Sequence, residues 1–220
     1  MYCILVTGIP ASGKSTMAEF LAERLRLPML SKDKIKEILF DDVGFASRSE
    51  KVALGISAMN ILYYTARQLM KCGRPFILEN NFENISREGI LFLLQKYSYH
   101  AVTVVLTGNY EIIYQRFLAR NESPDRHRGH VVNDCYPEKE GKSCPAPVLS
   151  YENFCEGIRE RGMDSFCADG PRIVVDTTDF SLVDREAILE EIIEYGKEFS
   201  HHGPSLSDHH AFTGFLRRYF

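Results

Sequence analysis

Apolar positions along the chain alternate between two rhythms. Cys3-Ile4-Leu5-Val6-Thr7 is a continuous apolar run of strand formers and predicts a buried strand over 2–7. Met17, Ala18, Leu21, Ala22 and Leu25 then recur at helical spacing, and Pro28 stops that helix near Leu27. Met29-Leu30 is a short apolar step, followed by a charged amphipathic helix with Ile35, Ile38 and Leu39 on one face. Ser47 and Glu50 form a capping-box pattern that opens a long helix carrying Val52, Ile56, Met59, Leu62, Tyr63, Ala66 and Met70. Gly73 closes that helix, with Pro75 just beyond.

The alternation continues to the C-terminal side. Pro75-Phe76-Ile77-Leu78 predicts a buried strand ending at Glu79-Asn80-Asn81, then a helix over about 85–97 and a strand over 101–106. A helix from Tyr110 to about Asn121, a short helix near 151–161 and a strand at 172–176 follow. Ser181 and Asp184 start a last helix with Ile188, Leu189, Ile192 and Ile193 facing inward. Continuous apolar strands alternating with helices predict an α/β fold whose parallel sheet is covered on both faces.

Two stretches break the pattern. From Glu122 to Ser150 the chain is rich in proline, glycine and charge, with little periodicity, which predicts a lid or substrate cover inserted at about 120–150. The tail over 201–220 is polar, then ends in Phe212, Phe215, Leu216, Tyr219 and Phe220, an aromatic segment expected to dock on the domain or on a second subunit. One domain over 1–200 is therefore expected, as a monomer or a homodimer. Its 45% hydrophobic and 25% charged residues suit a globular core. A net charge of -4 argues against nucleic acid and acidic membranes as partners. No apolar run approaches the roughly 18 residues that span a bilayer, and the N-terminus reads as a core strand, so a cytoplasmic protein with six reduced cysteines is expected.

Chemistry enters between the first strand and the first helix. Gly8-Ile9-Pro10-Ala11-Ser12-Gly13-Lys14-Ser15-Thr16 fits G-x-x-x-x-G-K-[ST] at every fixed position, in the strand–loop–helix context that a P-loop requires. Its glycines let successive N–H groups point into one concavity, and the following helix adds positive potential there. Gly8, Ala11, Ser12, Gly13, Lys14, Ser15 and Thr16 are thus the expected phosphate cradle for ATP. Lys14 can reach the β- and γ-phosphates, and Ser15 can ligate Mg²⁺.

Functional groups of an open parallel sheet gather at the carboxyl ends of its strands. Asp33, in Ser31-Lys32-Asp33, can take a proton from an attacking hydroxyl, or can serve as a helix N-cap; on pattern alone both readings stand. Glu79, with Asn80 and Asn81, can hold the Mg²⁺ shell or orient the acceptor, against the alternative of an Asx turn. Arg116, Arg120, Arg126 and Arg128 can neutralise a transferring phosphoryl group, with Arg120 and Arg126 favoured as catalytic, Arg116 on the nucleotide and Arg128 on the substrate. Thr177 and Thr178, after the last strand, are candidates for the nucleotide-base loop. His127, His130, Cys135 and Cys144 invite comparison with a zinc clamp, but they lack paired C-x-x-C knuckles. The pairs His201-His202 and His209-His210 are read as tail residues rather than ligands.

The P-loop followed by S-K-D-x-I-K resembles small P-loop kinase-like proteins carrying the AAA label. These are related to polynucleotide 5′-hydroxyl kinases, chloramphenicol phosphotransferases and zeta-toxin kinases. The resemblance implies a five-stranded parallel sheet in the order 2-3-1-4-5, an aspartate base at Asp33, and lid arginines on the phosphates. Two features depart from it. Glu79 stands where the family commonly has Asp, and the segment from Val131 to Val148 has no family counterpart. N-K-x-D and ABC-type signatures are absent from the sequence.

Together these features predict an ATP- and Mg²⁺-dependent phosphotransferase acting on a hydroxyl of a small polar molecule. One rival is a polynucleotide 5′-hydroxyl kinase, which needs a basic groove. Another is a non-catalytic nucleotide sensor whose ATP-ordered lid changes a partner contact.

Overall fold

A computed structural model of the protein describes residues 1–138 and 147–201. The aromatic segment of the tail, Cys144 and the second histidine pair lie outside the described residues. Five strands, β1 (Tyr2–Gly8), β2 (Met29–Ser31), β3 (Phe76–Glu79), β4 (His100–Thr107) and β5 (Arg172–Asp176), form one parallel sheet in the order β2-β3-β1-β4-β5. This is the order that the resemblance implies.

The helices follow the strands in turn. α1 (Lys14–Leu25) leaves β1, while α2 (Lys32–Asp42) and α3 (Arg48–Lys71) join β2 to β3. α4 (Asn84–Tyr97) joins β3 to β4. α5 (Tyr110–Glu122), α6 (Arg128–Val131) and α7 (Tyr151–Arg161) lie between β4 and β5, and α8 (Arg185–His201) comes last.

Side-chain alternation along β1 divides the core. Cys3 and Leu5 face α3 and α4 and join Leu62, Ala66, Phe76 and Leu78. Ile4 and Val6 face the other way, onto Met17 and Leu21 of α1 and Leu189 and Ile192 of α8. Both faces of β1 are closed, so its residues from Cys3 to Gly8 are all buried. β5 differs from the expected continuous run: as an edge strand it buries Ile173 and Val175 and leaves Val174 52% exposed.

Two helical faces also depart from the sequence reading. Ile38 is 59% exposed and Phe40 is fully buried, because α2 packs against α3 and the lid, and Phe40 fills that junction. Ile193 is exposed at the flank of α8, while Leu189 and Ile192 are buried in the core and Ile188 packs against them. The proline-rich stretch, expected to lack a core, borrows one. Val132 and Tyr136 pack with Phe40, Phe45 and Leu54, and Phe45 and Tyr136 exchange backbone hydrogen bonds of 2.8 Å. No helix among the described residues is long and apolar enough to cross a membrane.

Candidate active site

The loop between β1 and α1 takes the shape its glycines permit. Gly8 has φ 132, and a Cβ there would lie 2.0 Å from the Leu106 carbonyl oxygen, so only glycine lets β1 approach β4 this closely. Gly13 precedes α1 with φ 87, and no side chain caps the helix. The free N–H groups of its first turn therefore face the cavity, where anions are favoured. Ser12 is buried and donates to the Ile9 carbonyl at 2.8 Å, so its hydroxyl shapes the loop. Lys14 is 6% exposed, and its ammonium donates to the same carbonyl at 2.7 Å. Burial lowers the Lys14 pKa to about 8; Arg120 and Arg126 add to the shift, while Glu79 and Asp33 oppose it.

Strand register assembles the second wall. Val6, Glu79 and Ser31 stand level across β1, β3 and β2. Ser31 donates to Glu79 Oε2 at 2.5 Å, and Ser15 donates to Glu79 Oε1 at 3.4 Å. The Glu79 carboxyl is 3% exposed and is pushed up by burial, against the pull of Lys14 and the two serines. The Ser31 hydroxyl also accepts from the Lys34 N–H at 3.4 Å, which makes Ser31 the N-cap of α2. The cap is thus supplied next door, and Asp33 keeps its carboxylate for the cavity. Burial alone would raise the Asp33 pKa. The positive groups around it, His130 when protonated and then Arg126, Lys32 and Lys36, outweigh that effect and hold it below its ordinary value.

Lys14, Ser15, Thr16, Asp33, Glu79, Asn81, Arg116, Arg120 and Arg126 line one cavity of about 630 Å³, together with Ala11 and Gly13. Arg120 and Arg126 enter from α5 and the loop that follows it. Burial lowers the Arg120 pKa to about 10 and lowers that of Arg126 as well. Both Nε atoms are buried and without a hydrogen-bond partner. Arg116 donates to the Thr177 and Thr178 carbonyls at 2.5 and 2.7 Å, and its guanidinium stacks 4.0 Å over the Phe180 ring. The Thr177 hydroxyl is spent on the Thr107 carbonyl at 2.9 Å.

Arg128 stands apart from the other predicted residues. It pairs with Glu138 at 2.6 and 2.9 Å and does not line the cavity. A charged arginine beside an acid ten residues ahead finds its partner locally, which sequence spacing alone does not reveal. The histidines of the supposed clamp are also engaged elsewhere. His127 bonds to Asp41 at 3.0 Å and His130 to Glu37 at 3.1 Å, and burial drives the His130 pKa down to about 4. Among the described residues, no group of three potential metal-binding side chains of His, Cys, Asp or Glu exists.

The sequence reading passed over Lys32, Lys36, Arg161 and Phe180, all of which line the cavity. Lys32 and Lys36 were legible as an i, i+4 pair flanking Asp33. Phe180 had no local signal, because its role depends on packing against Gly13, where a Cβ would lie 2.8 Å from the ring.

Comparison with known proteins agrees with this fold. The pattern of the AAA domain family matches residues 3–134. The chain belongs to that AAA domain family. It is a small P-loop kinase-like protein, and its five-stranded sheet is that of P-loop kinases. A candidate kinase of Chloroflexus aurantiacus is 27% identical, with 90% of this chain and 96% of that one aligned at a TM-score of 0.65. A gluconokinase from Sinorhizobium meliloti shares the fold at 13% identity, 91% and 98% coverage and a TM-score of 0.53. A shikimate kinase from Bacteroides thetaiotaomicron does so at 14%, 89% and 98%, and 0.50. Among curated proteins, no sequence matches it.

Proposed function

We propose that the protein transfers the γ-phosphoryl group of ATP to a hydroxyl of a small polar molecule. One observation carries this reading: the Asp33 carboxylate, uncommitted to capping, lines the same cavity as the P-loop lysine. The loop N–H groups and Lys14 hold the triphosphate, with Lys14 leaving its perch on Ile9 to do so. Arg116 and Phe180 border the side that receives the base, close to Thr177.

Ser15 and Glu79 offer hard oxygen donors side by side, which fits Mg²⁺, with Glu79 acting directly or through water. When bound, the ion neutralises charge on the phosphate oxygens. Asp33 receives the acceptor proton. A carboxylate with a depressed pKa is a weak base, so it takes that proton late, as a loose transition state allows. Arg120 and Arg126 place unpaired donors where the equatorial oxygens gather charge. Asn81 and Glu79 position the acceptor or the metal water. Arg128, paired with Glu138, meets substrate only if the lid rearranges.

Asp33→Asn is expected to lower transfer by about 10²–10⁴-fold while ATP affinity stays nearly constant. Lys14→Ala is expected to weaken both. The measurement is ADP release above background hydrolysis in a screen of sugars, nucleosides, aminoglycosides and small acids. Full transfer by Asp33→Asn to the acceptor so found sinks the base assignment.

A further inference from the structure

The cavity holds more positive charge than the proposed donor neutralises. Seven Lys and Arg side chains line it, against three carboxylates. Mg·ATP carries about −2, so about two positive charges stay unmatched after it binds. The surplus is local. Lys32 and Lys36 stand one turn apart on α2 and act on Asp33, and Lys36 also feels Arg126. Lys14, in contrast, responds to Arg120, Arg126 and the two acids.

Among the described residues, neither the Lys32 nor the Lys36 ammonium has a hydrogen bond or ion pair; that of Lys36 lies 5.2 Å from the centre of the Phe40 ring. Arg126 brings a buried, unpartnered Nε to the same place. Nearby cations are already used: Arg48 bonds to Asn133, and Lys51 bonds to lid carbonyls. The remaining acid, Glu37, is shared between Lys34 and His130. Three cations gathered around the single carboxylate of Asp33 repel one another more than that one charge offsets, and an entering anion relieves the repulsion.

We propose that the acceptor is itself an anion, a small hydroxy compound bearing a carboxylate or a phosphate monoester. Lys32 and Lys36 hold that group while the acceptor hydroxyl meets Asp33. The assignment rests on the phosphotransferase reading above. A cavity of about 630 Å³ that must also admit the donor triphosphate favours a small acid over a polymer.

Protein saturated with Mg·ADP is titrated calorimetrically with glycerol, glycerate and glycerol 3-phosphate. Acceptor-dependent ADP release is then measured with Mg·ATP on a panel of polyols, hydroxy acids and sugar phosphates. The two anions are expected to bind at least about tenfold tighter than glycerol. Lys32→Gln/Lys36→Gln is expected to remove that advantage with Mg·ATP affinity retained, which certifies its fold. The order of glycerate and glycerol 3-phosphate tells a carboxylate from a phosphate. Equal binding of glycerol, or anion binding indifferent to the double variant, overturns the proposal. Lysine-dependent anion binding without transfer to any hydroxyl leaves the anion site standing and sinks the phosphotransferase reading. Transfer to neutral polyols, indifferent to Lys32 and Lys36, does the reverse. A 5′-hydroxyl oligonucleotide that outcompetes every small acid overturns the choice of a small acceptor.

Discussion

Lys51 offers a direct test of how the lid is held. It sits in the first turn of α3 and is 4% exposed. Its ammonium donates to the His130 carbonyl at 3.0 Å, the Val132 carbonyl at 2.5 Å and Asn133 Oδ1 at 3.1 Å, which ties α3 to the end of α6. Lys51→Met keeps the unbranched side chain as far as its ε carbon and removes all three donors. The residue of the Val132 carbonyl is fully buried, so that oxygen loses its partner with no water to replace it. The other two acceptors can be rehydrated if α6 lifts. An orphaned buried acceptor costs about 1–3 kcal/mol, which sets the expected loss at about 2–3 kcal/mol. Because α6 can move away, the loss is expressed as lid opening. At about 1.4 kcal/mol per decade, the open population rises roughly 30- to 150-fold. Hydrogen exchange measures this directly: the amides of 129–133 should lose protection by that factor while those of β1 and β4 keep theirs. Transfer should fall and the KM for ATP should change little. Unchanged exchange across 129–133, or a uniform loss across the sheet, refutes the latch.

Two further predictions follow from the same geometry. A Cβ on Gly129 would lie 2.3 Å from Phe40 Cδ2, and Phe40 is fully buried, so Gly129→Ala should cost about 1–3 kcal/mol by overpacking; Phe40→Leu in the same chain should recover part of it in a thermal-melt cycle. Asp33 ionises below its ordinary value and burial sets Lys14 near 8, so kcat/KM for ATP should stay level between about pH 5 and 7.5 and fall above about 8, as Lys14 loses the charge that holds phosphate. That alkaline limb should persist in Lys51→Met, which removes the other lysine titrating near 8, and a flat profile to pH 9.5 rules Lys14 out as its source.

What could be read beforehand follows the range of each interaction. The P-loop was legible because its residues contact one another within nine positions, and β1, β3 and β4 because burial on both faces leaves unbroken apolar runs. Asp33 was ambiguous for a physical reason: Ser31 and Asp33 are both competent caps, and only the register of β2 beside β3, which brings Ser31 to Glu79, shows which one serves. The lid core was illegible, since Phe40, Phe45 and Val132 meet across about 90 residues and share no period. Arg128 groups in sequence with the other arginines of the region as a substrate contact, and its pairing with Glu138 outside the cavity has no signal in the spacing. Ile38 misled because spacing groups it with Ile35 and Leu39 on one apolar face, whereas α2 packs against α3 and the lid through Phe40 and leaves Ile38 exposed.

The long helix α3 has one more consequence. Its 24 residues form a rod of about 36 Å, with Lys51 in the first turn, against the lid, and Cys72 as its C-cap. Cys72 is an exposed thiol, and a partly exposed thiol, Cys135, rides on the lid beside Tyr136. The protein thus carries two native labelling positions, one at the end of the shaft and one on the lid. With Cys144 and Cys167 replaced by serine, a pair of spin labels there becomes a molecular ruler. Its distance distribution would report, ligand by ligand, whether the donor alone draws the lid down or whether the acceptor must arrive as well.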